Sequence, residues 1–582
     1  MQLVFDIETD GVEATKVWCI VAYDIDTEKV YSFAPDELDA GVELLTKADK
    51  LVGHNIVNFD VPLVKKFFNV DLTETATLID TLILSRLFNP TREGGHALAG
   101  WGYRLGHPKG EFKDFLGGYS QEMLDYCIND VLVNAKVLEH LKRESKGFSA
   151  QSVEIEHKIA KLVDDQRKHG FFLDMKTTTL LQAELEEELN AVMAEVRKEF
   201  KPKREVYTLR IAYNADGAVS KFATCRELKK RVRLDDDEYD QISEHKKIKR
   251  IIRTDFNLGS RPQIAAYLQD FGWKPKKFTP TGQPVVDEGT LKKIKNIPQA
   301  QLIARYLMLQ KRLGMVASWL EEVEDDSRVH GYVNHNGAVT GRMTHRQPNT
   351  AQIVSSNSEY GKECRTCWTV PEGKKLVGID ASGLELRMLA HYLDDEEYTN
   401  EIINGDIHSH NQRIAGLESR SQGKTFIYAL LYGAGDIKLG TVAGGGRDTG
   451  AKLRKLFFDN LPAFKTLKDR VGRASKKGYI KGLDGRKLIV RSQHAALNTL
   501  LQSAGAIVMK RALILFTEYT KHLDAHVVAN VHDEWQVESA ADVAEEVGKM
   551  GVKAIKDAGL SFNLACPLDG EYKIGDNWYD TH

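Results

Sequence analysis

Short β-branched runs alternate with stretches of three-and-four apolar spacing through the first 140 residues. LVFDI, VWCIVAYDI and KLVGHNI predict strands, and the segments between them predict helices. That alternation is the pattern of an α/β domain. The polar run KRESKGFSAQS at 142–152 predicts its exit linker. From about 153 to 327 the periodicity becomes helical, as in EIEHKIAKLVDDQRKHG and LLQAELEEELNAVMAEVRKEF. A charged segment at 201–253, containing RELKKRVR, LDDDEYD and EHKKIKRIIR, interrupts those helices and reads as a solvated insertion or a partner site. Residues 328–582 return to mixed α/β, and no internal repeat is visible.

Length then bounds the architecture: 582 residues imply several domains, each with its own core. No stretch of twenty apolar residues predicts a membrane span, and MQLVFDIETD reads as a buried strand rather than a leader. Six cysteines in this length provide no disulfide framework, as in a reducing compartment. Cys364 and Cys367 form one CxxC without a second pair at ligand spacing, so two reduced thiols are expected rather than zinc. The net charge of −3 does not exclude a nucleic-acid partner, because site carboxylates can mask a basic cleft.

Two carboxylate sets carry the candidate chemistry. In LVFDIETDG, Asp6 and Glu8 sit two apart on a strand and project from one face. Acids on such an apolar strand are costly to bury unless they bind metal or are paired. HNIVNFD places Asp60 at a helix start, and YCIND puts Tyr126 and Asp130 one helical turn apart. Four acids and a phenol could hold two Mg²⁺ ions and orient an attacking water. These fragments resemble the three motifs of the DEDD 3′–5′ exonucleases, in the subgroup with tyrosine in the third. The resemblance implies Asp6, Glu8, Asp60 and Asp130 as metal ligands, Tyr126 as the water-orienting residue and Asn55 as a supporting one.

The second set lies downstream. LVGID ends a strand at Asp380, ASGLELRMLAHY follows as an amphipathic helix, and His532, Asp533 and Glu534 fall between VVANV and WQVE at the tip of an expected hairpin. Two aspartates suffice for Mg²⁺, which takes few carboxylates and completes its shell with substrate phosphates. Arg420, Lys424 and Tyr428 recur at four-residue steps and line one helical stripe, suited to a triphosphate and a base. A solvated basic face with a core tyrosine is the plain alternative. It does not explain the register with the YGAG that follows.

ASGLELR after the strand aspartate, RxxxKxxxY with YG, and VHDE resemble motifs A, B and C of the family A (pol I-like) DNA polymerases. TGRMTHRQPNTAQI, NGDIHSHNQ, KGLDGRKLIVRS and HAALNTLLQSAGA support it, with spelling similar to the replicases of short-tailed, T-odd type phages. The resemblance implies an α/β multidomain fold: an RNase H-like exonuclease followed by a right-hand palm, fingers and thumb. It assigns 1–145 to the exonuclease, 153–327 to the thumb with its insertion at 201–253, 328–395 and 482–582 to the palm, and 396–481 to the fingers. A 5′ nuclease domain is not expected, since the chain begins at the proofreading motif.

Carried over, Asp380, Asp533 and the Ala381 carbonyl hold two Mg²⁺, with Glu534 a lesser acid. Two more Mg²⁺ belong to the exonuclease, and Mn²⁺ can substitute at both. Arg420, Lys424 and His408 bind the incoming dNTP, and Lys424 protonates the leaving group. Tyr428 and Tyr432 lie by the nascent pair, and Glu385 is the steric gate. Arg342, Asn498, Gln502 and His532 track the primer–template DNA, where minor-groove acceptors are alike for correct pairs.

The implied function is template-directed DNA synthesis with 3′–5′ proofreading, in a phage replicase working in the host cytoplasm. A gap-filling repair polymerase is the nearest alternative. A stand-alone exonuclease with a DNA-binding remainder, or a single-subunit RNA polymerase, would not need both Asp380–Asp533 and Glu385. Relatives in the phage branch carry a thioredoxin-capturing insertion where 201–253 falls, although this segment does not match that loop. Its basic runs could instead lie on duplex phosphates. Helicase-primase and single-strand binding protein complete the expected partners, with Asp576, Trp578 and Asp580 as a contact by analogy.

Overall fold

The computed structural model describes residues 1–582. Two compact units result: Met1–Met175 with Glu321–His582, and Lys176–Leu320.

In the first unit, the N-terminal region forms a five-stranded sheet ordered Lys29–Phe33, Val17–Asp24, Gln2–Thr9, Lys50–Gly53, Thr77–Asp80. The central strand Gln2–Thr9 alternates as its sequence requires. Leu3, Phe5 and Ile7 enter one core, while Val4 enters the other beside Leu124, Cys127 and Val131 of the helix Gln121–Glu144. Asp6 and Glu8 therefore share the face on which that long helix lies.

The C-terminal sheet is antiparallel, ordered Ala525–Val531, Glu534–Ala540, Lys374–Ala381, Gly570–Gly575. Helices Ala496–Thr520 and Ala544–Ser561 pack together behind it. The helical span Gln493–Thr520 is long and apolar enough to cross a membrane by length and average composition alone, although it holds no run of twenty apolar residues. However, 89% of its apolar window is buried inside the protein, the surroundings of a core helix. Gly378 lies under the chain's last residues, where a Cβ would come within 2.3 Å of the Thr581 carbonyl. Helices Ile407–Ala415, Arg420–Leu431, Asp436–Val442 and Arg447–Asn460 form a further cluster.

Two expectations are corrected. The helix Ala150–His169, expected with the 153–327 segment, packs instead on Ala496–Thr520 and on the strands Tyr332–Asn334 and Ala525–Val531, so its apolar stripe belongs to the first unit. Trp578, expected at a partner surface, is 1% exposed. Its ring lies among Phe171 and Trp368, and its Nε1 donates to Glu534 at 2.6 Å.

The second unit carries the helices Met175–Glu199 and Pro298–Glu322. Its charged insertion is a sheet, ordered Lys247–Thr254, Lys203–Arg210, Phe222–Cys225, Lys230–Arg233, with the helix Asp236–His245 over one face. Leu209, Ala223, Cys225, Ile242 and Ile248 form its small core.

Candidate functional site

Four carboxylates converge at the N-terminal site. Glu8, Asp60 and Asp130 are 9%, 2% and 2% exposed, so little water reaches them. The Ile7 amide donates to Asp60 Oδ1 at 3.0 Å, tying the start of the helix Asp60–Phe68 to the central strand. Ligand atoms of Asp6, Glu8 and Cys127 lie within 4.8 Å of one another, close enough to share a cation. Burial and the neighbouring acids push Asp6 up to about 7 and Glu8 up to about 10. Asp60 is raised by burial and Asp6; Asp130 is raised by burial although Lys109 opposes it. The four carboxylates, which resist ionising together, fit a hard divalent cation, whereas the Cys127 thiol, pushed up by burial, stays protonated beside them.

Sequence reasoning missed two residues here. Lys109 Nζ lies 2.5 Å from Asp130 Oδ2 and 4.8 Å from the Tyr126 ring centroid. It sits in an irregular stretch, HPKGEFKD, whose sequence gives no hint of the partner. Asp80, 1% exposed, accepts from the amides of Asn55 at 3.0 Å and Val57 at 3.2 Å. Asn55 has φ 74°, so its supporting role is visible in the backbone it turns rather than in a side-chain contact.

At the C-terminal site, the strand and hairpin meet in register. Asp380 pairs with Glu534, and the Ala381 amide donates to the Asp533 carbonyl at 3.0 Å. His532 has φ 60°, a left-handed conformation that the two-residue tip requires. Burial, then the charges of Asp533 and Glu534, push Asp380 up to about 7, and burial also raises Asp533. Glu534 behaves differently. Its oxygens accept from Trp578 and Gln536 at 2.6 Å and meet His582 Nδ1 at 2.8 Å, and it stays below its usual range.

A cleft of about 350 Å³ is lined by Arg342, Glu385, Tyr432, Gln502, His532 and Asp533. Asp380 does not line that cleft but a different, smaller space, with Glu534, Glu571 and His582. The Tyr432 hydroxyl donates to Glu385 Oε2 at 3.2 Å, while Glu385 Oε1 has no partner. Asn498 stands one turn before Gln502 on the helix Ala496–Thr520, its Oδ1 also without a partner.

The helix Arg420–Leu431 is fixed at its start by a capping box between Ser419 and Gln422. Phe426, Ile427 and Leu430 face the core, which leaves Arg420 and Lys424 exposed. Gly423 permits close packing of the preceding helix, since a Cβ would meet the His408 carbonyl at 2.5 Å. The His408 ring centroid is 6.3 Å from that of Tyr428. Burial, with the charges of Arg420 and Lys424, lowers the His408 pKa. Arg420 is held by Asp406 at 2.6 Å, a pairing the sequence did not reveal. Burial and the nearby Glu385 push the Tyr428 phenol up to about 12.

Comparison with known proteins follows the same division. Residues 226–580 match DNA polymerase family A, and residues 3–94 match the RNase_H superfamily. The chain is 36% identical to the DNA-directed DNA polymerase of Enterobacteria phage T3, over 100% of both chains. Identity is also 36%, with the same coverage, to that of Escherichia phage T7. Among solved structures it resembles the POL domain of Pol1 from M. smegmatis, in complex with DNA primer-template and dNTP. The TM-score there is 0.76 at 18% identity, covering 100% of this chain and 95% of the other.

Proposed function

The chain belongs to DNA polymerase family A, as a DNA-directed DNA polymerase of the phage replicase kind with an RNase H-like exonuclease domain; from that premise, we propose how its residues divide the work. Both catalytic regions belong to divalent-metal-dependent kinds, and the ligands are primer–template DNA and dNTPs. We assign two Mg²⁺, replaceable by Mn²⁺, to Asp380, Asp533 and the Ala381 carbonyl. Two more go to Asp6, Glu8, Asp60 and Asp130. Such ions, when bound, stabilise the attacking and leaving oxygens of phosphoryl transfer.

The remaining steps are the chain's own. Arg420, Lys424 and His408 hold the triphosphate, and Lys424 donates its proton to the departing pyrophosphate. Arg420 would exchange its Asp406 partner for phosphate. Tyr428 and Tyr432 flank the nascent pair, with Glu385 beneath the sugar as steric gate. Arg342, Asn498, Gln502 and His532 follow the primer terminus. Tyr126 orients the hydrolytic water at the other site. The palm is 328–395 with 482–582, the fingers are 396–481, the exonuclease is 1–145, and the Lys176–Leu320 unit is the thumb.

One observation carries the reading: Asp380 pairs with Glu534 on the adjacent strand and the Ala381 amide donates to the Asp533 carbonyl at 3.0 Å, so Asp533, far away in sequence, comes near enough for its charge to raise Asp380. Primer extension and primer degradation by the wild type, Asp380→Ala and Asp6→Ala test it. Asp380→Ala should abolish synthesis alone, and Asp6→Ala degradation alone; loss of both from either change would overturn the division. A replicative role in the host cytoplasm is separated from repair by strand displacement and processivity. A host thioredoxin at 201–253 would lengthen products when added. A helicase-primase contact, now limited to the exposed Asp576 and Asp580, and a single-strand binding protein are tested by pull-down with the purified proteins.

A further inference from the structure

The sheet at 203–254 has one covered face and one open face, and the two differ sharply in chemistry. Leu209, Ile248, Ala223 and Cys225 point toward the helix Asp236–His245. Alternation then sends their neighbours the other way. On the strands Lys203–Arg210 and Lys247–Thr254, the open face carries Arg204, Val206, Thr208 and Arg210 opposite Arg253, Ile251, Lys249 and Lys247. Phe222 and Thr224 continue it, paired with Arg233 and Arg231 on the edge strand. All of its cations are exposed, and no strand position on this face is an acid.

Two of its cross-strand pairs join like charges: Lys247 with Arg210, and Arg253 with Arg204. Directly opposed like charges destabilise a sheet. Asp255 offsets one of them, 3.2 Å from Arg253, and lies beyond the strand. Glu227 accepts from the Thr208 backbone amide and so lies along the sheet rather than over it. The face keeps a repulsive arrangement that an anionic partner would relieve.

We propose that this open face is a sequence-independent binding site for the sugar–phosphate backbone of duplex DNA, carried by the Lys176–Leu320 unit. Eight residues per long strand, at about 3.4 Å each, span roughly 25 Å, or on the order of seven phosphates along one DNA strand. Five of the seven cations are arginines, whose planar fork suits phosphate oxygens better than a lysine point charge does. Exposed Val206, Ile251 and Phe222, at 47%, 65% and 46%, offer apolar contact to deoxyribose between the cations. The identity of the ligand rests on the polymerase reading; the charge argument does not.

The test neutralises the face in the full chain with Arg204→Gln, Arg210→Gln, Lys249→Gln and Arg253→Gln together. Equilibrium binding to a primer–template duplex is measured across salt concentrations, alongside single-nucleotide incorporation at saturating DNA. Each lost phosphate contact removes about 0.9 from the log–log salt slope, so the slope should fall by about 2 to 4. Affinity should weaken at least tenfold, with incorporation unchanged within twofold. The pair Arg231→Gln and Arg233→Gln serves as a second variant, should the first misfold by circular dichroism, with a slope change of about 1 to 2. An unchanged slope and affinity would overturn the site. So would an unchanged DNA slope with loss of a thioredoxin effect on product length, which would give the face to an acidic protein. Failure of the wild type to extend primers would sink the polymerase reading while leaving this binding measurement intact.

Discussion

Lys109 Nζ lies 2.5 Å from Asp130 Oδ2, so an ammonium already pairs with one of the four carboxylates proposed to hold the exonuclease's metal ions. A divalent cation can draw on Asp130 Oδ1, which has no partner, but it then competes with the charge of that ammonium for the same carboxylate. Lys109→Met should therefore lower the cation concentration that half-saturates primer degradation, by roughly three- to tenfold, and tighten direct Mn²⁺ binding seen by electron paramagnetic resonance. Synthesis should not change. If degradation disappears at saturating cation, Lys109 serves the reaction itself and the competition argument is wrong.

Asp6 and Asp380, both pushed up to about 7, make stability depend on pH in an unusual direction. Unfolded aspartates titrate near about 3.9. Between about 4 and 7, the folded chain then holds more protons than the unfolded chain, so unfolding free energy falls as pH rises. Glu8, up to about 10, extends the loss to alkaline pH. In EDTA, the melting temperature should drop between pH 5 and pH 8, and Mg²⁺ should restore it by binding the native state. Asp380→Asn should raise the EDTA value at pH 8 by about 2–4 °C. A melting temperature flat across that range would contradict the crowding of these carboxylates.

Much of both sites was legible because short-range rules govern it. Asp6 and Glu8 share a face by strand alternation, Tyr126 and Asp130 by one helical turn, and His532–Asp533 fall on a hairpin tip between two apolar runs. What escaped depends on which core an element meets. The helical spacing of Ala150–His169 reveals a stripe but not its destination, so by spacing alone the helix reads as part of the 153–327 segment. In 201–253, alternating charge hid the period-two pattern of KREVYTLR and KIKRIIRT, which are strands. Lys109 and Asp80 act through folds of the chain that no local pattern reports, and Trp578 is a core ring despite polar neighbours.

The Tyr432–Glu385 hydrogen bond, 3.2 Å long, fixes a carboxylate whose other oxygen is buried without a partner. If Glu385 crowds the sugar's 2′ position, its placement matters as much as its presence. Tyr432→Phe should raise ribonucleotide incorporation several-fold through a looser Glu385, and Glu385→Ala should raise it further. Steady-state selectivity for dCTP over CTP measures both. Equal selectivity in Glu385→Ala and wild type would remove the gate assignment.

The Tyr428 phenol lies in the field of Glu385. A hydroxyl here can take the place of the absent 3′ hydroxyl of a dideoxynucleotide. Efficient termination by dideoxynucleotides is expected, with Tyr428→Phe restoring discrimination by at least about tenfold, equivalent to about 1.4 kcal/mol. Chain-termination ladders at matched nucleotide ratios would reveal it. Identical ladders from both proteins would rule the role out.

Glu156 is fully buried and accepts from Lys510 at 2.6 Å and Arg486 at 2.7 Å, with His335 at 2.6 Å on its other oxygen. Arg486 also pairs with Asp484 at 2.7 Å, so one cluster joins four segments distant in sequence. Lys510 sits beside the Arg342–Asp533 cleft, and burial pulls its pKa down to about 8 despite Glu156. Removing one partner of a buried ion pair leaves an uncompensated charge, at a cost of about 3–5 kcal/mol. Glu156→Gln should therefore destabilise the first unit by about that amount in urea. Because Lys510 sheds its proton more readily once Glu156 is gone, the penalty should shrink as pH rises toward about 8, and level off above it, where Lys510 of the wild type is neutral as well. A penalty that does not change with pH would show that Lys510 stays charged without its partner.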